Sequence, residues 1–395
     1  MNIARKEVDM NLKNFKNIIQ SSHLNFLLGS GLSKPYLATL GKIENWLTEA
    51  EKINDKNEQK LVKASLYAKY FKDVMLPCIN PDSERVCYFN DVNNNYDSFL
   101  NIWNDIVAKR NIGLLDKQIN IFSTNIDNFV ENAAERIGVE FNDGFQGHLK
   151  PVFREDSFNN IVSKVSILYS NRALIPNFNL FKLHGSITWC AGNDENIYLD
   201  SQYHMLNNVI NKYNAISSDT LFTDFKEETT FDTIKNHAST SLLFEDSLGQ
   251  DIEEFVDAYS KLVMVNPQKT KFRETVLDLH FYELMRLFSN ALEKSSSLLI
   301  VAGFSFADEH ISKIIVRAAN TNPTLLVLIF AFNEDASVEI QDNISKGGSL
   351  LNNNIKILTP NIYKQWCDNE FVKNLSDLST FDFESLNNYV FKYLL

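Results

Sequence analysis

Between Leu24 and Ser33 the sequence reads LNFLLGSGLS, a short apolar run that ends in Gly-Ser-Gly. An apolar run of this length that stops at glycine is typical of a strand buried on both faces. The helical spacing of apolar residues from Leu12 to Ile19 predicts a helix before it. Helix, buried strand and tight loop, in this order, indicate the beginning of an α/β fold.

Similar apolar runs recur along the chain and predict the remaining strands. With the first at about 24–28, they lie at about 119–123, 178–183, 297–303, 324–333 and 353–359. Short, all-apolar strands that alternate with helices predict a mostly parallel sheet covered on both faces. The predicted fold class is α/β: a Rossmann-like, mostly parallel sheet flanked by helices, with helical insertions and a short C-terminal helical tail.

Three segments depart from this alternation. Residues 42–117 are polar and periodic, which predicts a helical insertion. Residues 192–261 are acidic without a strong strand signal, which predicts a second insertion or small subregion. Residues 360–395 predict a C-terminal helical tail. We therefore expect residues 1–395 to form one domain with insertions.

Composition narrows the classes of function. The chain has 395 residues and a formal net charge of −12, so direct nucleic-acid binding, which needs a basic face, is not expected. Four cysteines, Cys78, Cys87, Cys190 and Cys367, form no C-x-x-C pair, so neither a zinc ribbon nor a disulfide scaffold is predicted. A reducing cytoplasm is the expected compartment. No apolar run approaches the ~20 residues that span a bilayer, so no membrane segment is expected.

The loop after the first predicted strand contains Gly29, Ser30, Gly31 and Ser33. Ligands of open parallel sheets bind beyond the carboxyl ends of the strands, and the N–H groups of such a loop can hold a pyrophosphate. A tight turn without a ligand explains the glycines equally well. The loop lacks the third glycine of the dinucleotide fingerprint and the Gly-Lys-Ser/Thr of a P-loop, so neither a dehydrogenase nor an ATPase is indicated.

The next two loops carry polar side chains. Asn125 and Asp127 follow the second strand and can point an amide and a carboxylate into one pocket, although both residue types are also common helix caps. His184 follows the third strand and is suited to proton abstraction at neutral pH, although a lone histidine is more often structural. After the fourth strand, Gly303 and Ser305 can approach a ribose or phosphate, whereas Asp308 is expected to cap the next helix.

These loops occur in order, each directly after a predicted strand. Together, GSGLS, STNIDNF, KLHGS and AGFSFADEHI resemble the sirtuin-like NAD-binding domain over about residues 24–333. GFSFADEHI is more similar to the bacterial sirtuin-like NAD hydrolases than to deacetylases. The four-cysteine zinc module and the Phe-Gly-Glu segment of protein-deacylating sirtuins are missing. The resemblance therefore implies an NAD pocket without a peptide platform, and water as the acceptor.

The resemblance also implies roles for individual residues. NAD+ would be the substrate, and no metal would be needed. Asn125 would orient the ribose hydroxyls and the water, Asp127 would hold the nicotinamide carboxamide, and His184 would act as general base. Ser30, Gly31 and Ser33 would contact the phosphates, and Asn333 the adenosine. The full set of expected NAD+ contacts is Gly29, Ser30, Gly31, Ser33, Thr124, Asn125, Asp127, Gly303, Ser305 and Asn333.

The implied activity is cleavage of the nicotinamide N-glycosidic bond by an effector of anti-phage defence that depletes NAD. Relatives with built-in sensors append a further domain, whereas only about 60 residues follow Asn333. The resemblance is greatest to the compact two-component system, which implies a large homo-oligomeric ring gated by a HerA-type hexameric ATPase. The alternatives are a catalytically idle NAD- or ADP-ribose-binding scaffold, and a protein deacylase or ADP-ribosyltransferase.

The end of the chain, FDFESLNNYVFKYLL, carries an apolar stripe at helical spacing. This stripe is expected either to contact another subunit or the ATPase, or to pack on the chain's own core. Its members are Phe383, Leu386, Val390, Tyr393 and Leu394.

Overall fold

The computed structural model describes residues 11–39, 41–110, 115–168, 171–194, 196–217, 220–244, 249–265, 279–367 and 372–395. Parts of the predicted insertions and tail, at 111–114, 195, 218–219, 245–248 and 368–371, lie outside the described residues. Within the described ranges, no helix combines the length and the apolar character needed to cross a lipid bilayer.

A parallel sheet forms the centre of the molecule. The strands, numbered in chain order, are β1 (His23–Leu28), β2 (Gln118–Ser123), β3 (Phe141–Asn142), β4 (Phe145–Gln146), β5 (Val152–Phe153), β6 (Ser163–Val165), β7 (Arg172–Leu174), β8 (Asn177–Lys182), β9 (Trp189–Ala191), β10 (Ile197–Leu199), β11 (Ser297–Ala302), β12 (Leu326–Phe330) and β13 (Ile355–Leu358). In the described part of the chain the central sheet has seven strands in the order β13-β12-β11-β1-β2-β8-β3, and neighbouring strands are parallel.

This sheet confirms the predicted Rossmann-like α/β class. The six apolar runs correspond to β1, β2, β8, β11, β12 and β13. The edge strand β3 has only two residues and was not predicted. The run at 324–333 becomes a shorter strand, because Asn333 already caps the following helix. Two small sheets, β4-β5-β10-β9 and β6-β7, lie outside the central one and were not predicted.

Helices cover the sheet. They are α1 (Leu12–Ser21), α2 (Ile43–Ala50), α3 (Lys56–Tyr70), α4 (Leu76–Ile79), α5 (Val86–Ala108), α6 (Phe129–Ile137), α7 (His204–Ala215), α8 (Phe231–Phe244), α9 (Gln250–Ser260), α10 (Leu279–Glu293), α11 (Glu309–Thr321), α12 (Glu334–Lys346), α13 (Pro360–Gln365) and α14 (Phe383–Ser385). Of these, α2 to α5 lie within 42–117, and α7 to α9 lie within 192–261. α6 ends at Gly138, whose φ of 69° is the left-handed conformation that favours glycine.

The two faces of the sheet contact two separate cores. Phe26 of β1 points into the first core, where its ring centroid lies 4.7 Å from that of Trp103 in α5. Leu27, the next residue, points into the second core, which includes apolar residues of α10, α11 and α12. Alternation along a strand buried on both faces explains why β1 reads as a continuous apolar run.

The C-terminal stripe packs on the chain's own core, which is the second of the two alternatives. The chain remains helical from 383 to 394, and we call this segment the C-terminal helix. The ring of Phe383 meets that of Tyr96 edge-on at 4.8 Å. Leu386 and Val390 are fully buried, Leu394 is 6% exposed, and Tyr393 is half-buried. These side chains are therefore not an open surface for a partner.

A ladder of asparagines crosses the sheet at one register. Asn25, Asn120, Asn179 and Asn142 are aligned partners on β1, β2, β8 and β3. The Asn120 amide donates to Oδ1 of Asn25 at 2.9 Å, and the Asn179 amide donates to Oδ1 of Asn120 at 3.0 Å. A slip by one residue would break these bonds and turn the apolar side chains to the wrong face. We infer that the ladder fixes the register of the strands whose ends form the candidate site.

Candidate functional site

The candidate site lies at the carboxyl edge of the sheet, where β1, β2, β8 and β11 end side by side. The loops after β1 and β2 are directly joined, because the amide nitrogen of Asn125 donates to the carbonyl of Gly29 at 3.3 Å. The loop after β11 reaches both the loop after β1 and His184. The fold thus brings together four of the loops that the sequence singled out.

The glycines of the first loop allow a close approach between backbones. Gly29 donates its N–H to Ala302, and Gly31 donates to Gly303, each at 3.0 Å. A Cβ on Gly29 would lie 2.3 Å from the carbonyl oxygen of Gly303. The N–H groups of Gly29 and Gly31 therefore join two loops of the protein, as expected if the glycines serve only to make a tight turn. Ser30, by contrast, is exposed at the start of a 3-10 turn.

Asp127 is a buried carboxylate with a defined set of partners. The Ser33 hydroxyl donates to its Oδ2 at 3.0 Å, and the Phe129 N–H donates to its Oδ1 at 3.3 Å. Burial raises the pKa of Asp127, while Lys182 and these two hydrogen bonds act in the opposite direction. The N-cap of α6 is Asn128 and not Asp127, so capping alone does not explain the buried carboxylate.

Lys182 is a buried cation next to this carboxylate that the sequence analysis missed. It is 2% exposed, donates to the backbone carbonyl of Asp127, and pairs with Glu131 at 3.3 Å. Burial raises the pKa of Glu131, whereas the charge of Lys182 lowers it. A lysine between the apolar residues Phe181 and Leu183, near the end of the predicted strand FNLFKL, was the signal that could have revealed it.

The side-chain amide of Asn125 has a hydrogen-bond partner for its nitrogen but not for its oxygen. Its amide nitrogen donates to Gly29, which fixes the orientation of the side chain, since a carbonyl accepts only from the NH₂ group. Its Oδ1 is buried and accepts no hydrogen bond from the described residues. A buried acceptor without a partner costs about 1–3 kcal/mol, so we expect a bound water or a ligand to donate to this oxygen. Thr124, beside it, is half-buried and donates its N–H to Leu28.

His184 faces a carboxylate from the loop after β11. Its Nε2 lies 3.2 Å from Oδ2 of Asp308, and both residues are 8% exposed. Oδ1 of Asp308 accepts from the N–H of His310 at 3.0 Å, which caps α11 as expected. The contact with His184 was not foreseen.

The remaining predicted residues lie further from this centre. Ser305 is exposed, and its carbonyl accepts from Asn343. The side chain of Asn333 caps α12 by accepting from Ala336 at 2.9 Å. No hydrogen bond among the described residues joins Ser305 or Asn333 to Asn125, Asp127 or His184.

The helical insertion supplies one wall of the site. The Tyr96 hydroxyl of α5 lies 3.4 Å from the Ser33 hydroxyl. Its ring stacks on that of Phe129, with centroids 5.8 Å apart, and burial raises the pKa of this phenol. No residue of the insertion was assigned to the site from the sequence, because Tyr96 lies in a polar, helical stretch.

Two further observations concern other parts of the surface and interior. Among the described residues, no group of three His, Cys, Asp or Glu side chains is arranged to hold a metal ion. An open depression of about 280 Å³ lies by α12, β13 and α13, and its lining includes none of the predicted site residues. Its lining residues are Ser337, Val338, Gln341, Asp342, Ile357 and Ile362.

No protein-family model matches the chain, and no curated protein matches it at a significant level. Fold and site together define its class: an α/β protein with a Rossmann-like parallel sheet and a buried polar cluster at the carboxyl edge. The activity must be argued from that cluster.

Proposed function

We propose that the chain is an NAD+ glycohydrolase of the sirtuin-like type, which cleaves NAD+ to nicotinamide and ADP-ribose. The observation that carries the proposal is the order of the loops along the sheet edge. From β8 to β12 the strand ends carry His184, then Asn125 and Asp127, then the loop 29–33, then Gly303 and Ser305, and then Asn333. With the roles that the resemblance implies for these residues, the loops follow the order of the groups in NAD+: nicotinamide and its ribose, the phosphates, the second ribose and the adenine. The order of the loops along the chain is different.

Asn125 provides the second argument for a ribose at this position. Its buried Oδ1 has room for a donor, and a ribose hydroxyl or a bound water is such a donor. Asp127 is suited to the carboxamide, since each carboxylate oxygen already has one partner and keeps a further lone pair. Ser33 and Tyr96 would close the nicotinamide end.

The proposed reaction follows from these positions. As the bond between the ribose and nicotinamide breaks, its electron pair moves to the ring nitrogen and positive charge develops on the ribose. Dipoles fixed in a buried site stabilise that charge. His184 removes a proton from the attacking water, whose oxygen bonds to the ribose carbon. The products are nicotinamide, ADP-ribose and one proton.

The rest of the NAD+ contacts are assigned along the edge. Ser30 and the backbone near Gly31 would meet the phosphates, Gly303 and Ser305 the second ribose, and Asn333 the adenosine. Since the N–H of Gly31 is engaged with Gly303, the phosphates would depend mainly on Ser30 and solvent. This end of the site is the more open one.

In the cell we propose that the protein acts in the cytoplasm as an anti-phage effector that depletes NAD. It would form a large homo-oligomeric ring gated by a HerA-type hexameric ATPase. Because the C-terminal stripe is buried within the chain, the contact surfaces are expected elsewhere. Co-expression with such an ATPase, followed by the mass of the complex in solution, tests the assembly.

Product analysis tests the activity. The purified chain, alone and co-expressed with the ATPase, is incubated with NAD+, and products are separated by chromatography. We expect equal amounts of nicotinamide and ADP-ribose without a second substrate. An idle scaffold would bind NAD+ and release neither product, and a deacylase or transferase would require an acceptor. Absence of nicotinamide release in both preparations contradicts the proposal.

A further inference from the structure

The two carboxylate oxygens of Asp308 contact different parts of the protein. Oδ1 accepts from the backbone N–H groups of His310 and Ile311, which caps α11. Oδ2 lies 3.2 Å from Nε2 of His184. A cap needs only one oxygen, and asparagine or serine provides it as well as aspartate does. The second oxygen therefore calls for an explanation of its own.

The contact joins strands that are not neighbours. β1 and β2 separate β11 from β8 in the sheet, so the ends of β11 and β8 are roughly 14 Å apart. The loop 303–308 crosses this distance with two left-handed residues, Gly303 at φ 66° and Phe306 at φ 61°. A left-handed phenylalanine costs of order 1–3 kcal/mol, and its buried ring, packed on Phe304, holds it in place.

The imidazole of His184 is exposed to solvent on one side only. Its Nε2 is inaccessible to solvent, whereas the side chain as a whole keeps 10% of its exposure. The distance of 3.2 Å between Nε2 of His184 and Oδ2 of Asp308 is that of an ion pair, but the two groups are not aligned well enough to form a hydrogen bond. A carboxylate at this distance favours a proton on the nitrogen that faces it.

We propose that Asp308 is a positioning residue that keeps the proton of neutral His184 on Nε2 and so makes Nδ1 the basic nitrogen. This inference rests on the proposed function. In the reaction, Nδ1 takes the proton from the attacking water, and the imidazolium that forms is stabilised by the carboxylate at Nε2. The proton then passes to solvent, and no other group is oxidised or reduced.

Asp308→Asn tests the proposal without removing the cap. Its Oδ1 would still accept from the backbone of α11, which turns its NH₂ group toward His184. A donor facing Nε2 forces the opposite tautomer. We expect kcat for nicotinamide release to fall about 10²-fold or more, with KM for NAD+ nearly unchanged. Asp308→Ser keeps the cap without a donor facing Nε2, so we expect a smaller loss.

A spectroscopic measurement separates this inference from the proposed function. In protein labelled with ¹⁵N-histidine, at alkaline pH, the His184 signals are assigned by their loss in His184→Ala. We expect the proton on Nε2 in the wild type and on Nδ1 in Asp308→Asn.

Each outcome decides one of the two proposals. A proton on Nδ1 in the wild type, an unchanged tautomer in Asp308→Asn, or an unchanged kcat overturns the role of Asp308. The expected tautomers in a protein that releases no nicotinamide would instead overturn the proposed activity and leave the positioning of His184 intact.

Discussion

The hydroxyl of Ser33 donates a hydrogen bond of 3.0 Å to Oδ2 of Asp127 and so links the loop after β1 to the loop after β2. Ser33 is 1% exposed, and its hydroxyl proton is engaged by the carboxylate. Its position is therefore better explained by holding Asp127 than by contacting a phosphate. The first loop shapes the site mainly through such contacts within the protein.

Gly29→Ala is expected to separate the loops after β1 and β11. The new Cβ would lie 2.3 Å from a backbone oxygen, and a backbone shift of this kind costs about 1–3 kcal/mol in free energy of unfolding. Nicotinamide release should fall as well. Gly249→Ala is the matched control, because among the described residues no atom beyond its chain neighbours lies within 4 Å of the new Cβ. Denaturant unfolding of both variants provides the measurement, and equal stability would contradict the close approach.

Asp127→Asn is expected to raise the stability of the protein increasingly with pH. Since burial raises the pKa of Asp127 in the folded state, its stabilising contribution is complete below the ordinary carboxyl pKa of about 4. It is lost as the pH rises through the raised value. Asparagine does not ionise, so the advantage of the variant over the wild type should grow from about pH 4 upward.

Unfolding free energies measured across this pH range test the sign. Asp156→Asn is the control, because a hydrogen bond from Arg154 lowers the pKa of this exposed carboxyl. Its difference from the wild type should be small and of the opposite sign. A difference for Asp127→Asn that stays flat or declines with pH would show that burial does not dominate at this position.

Lys182→Met is expected to destabilise the protein by up to about 3–5 kcal/mol, because it removes a buried cation and leaves the half-buried Glu131 without its partner. Lys60→Met removes a comparable ion pair, Lys60 to Glu253 at 2.9 Å, from an exposed site and should cost less than about 1 kcal/mol. Replacing Glu131 by leucine in the Lys182→Met background should recover part of the loss. Equal losses in the two single variants, measured by urea unfolding, would contradict the role of Lys182.

Asn120→Leu is expected to cost about 2 kcal/mol or more, since it leaves Oδ1 of Asn25 and the amide of Asn179 without their partners. Replacing Asn25, Asn120 and Asn179 by valine removes both of these groups as well. Although the amide of Asn177 then loses its bond to Oδ1 of Asn179, the triple change should be less damaging than the single one. Urea unfolding of both variants compares them. A triple variant that is less stable than Asn120→Leu would argue against the ladder as a matched set.

The sequence was sufficient for the central fold. The runs that became β1, β2, β8, β11, β12 and β13 are apolar because both faces are buried, and this pattern is local. The edge strand β3 and the small sheets consist of two- and three-residue strands, too short for a period to be visible. The asparagines of the ladder were visible, but their alignment depends on the strand order.

Much of the candidate site also followed from loops placed directly after strands, as for Asn125, Asp127 and His184. Tyr96 and Lys182 were missed, because each meets the site through a contact between elements distant in the chain. Asp308 was assigned only its local task, the helix cap. Its second contact, with His184, depends on how the loop after β11 crosses the sheet edge.

Nicotinamide release by Asn125→Ala, in the preparation in which the wild type is active, tests whether the carboxyl edge of the sheet is the site of NAD+ cleavage. We expect a fall of about 10²–10³-fold, because the variant lacks the buried amide that we assign to the ribose. Asn208→Ala, an exposed change in α7, should match the wild type. Undiminished release by a folded Asn125→Ala would show that NAD+ is not cleaved at this site.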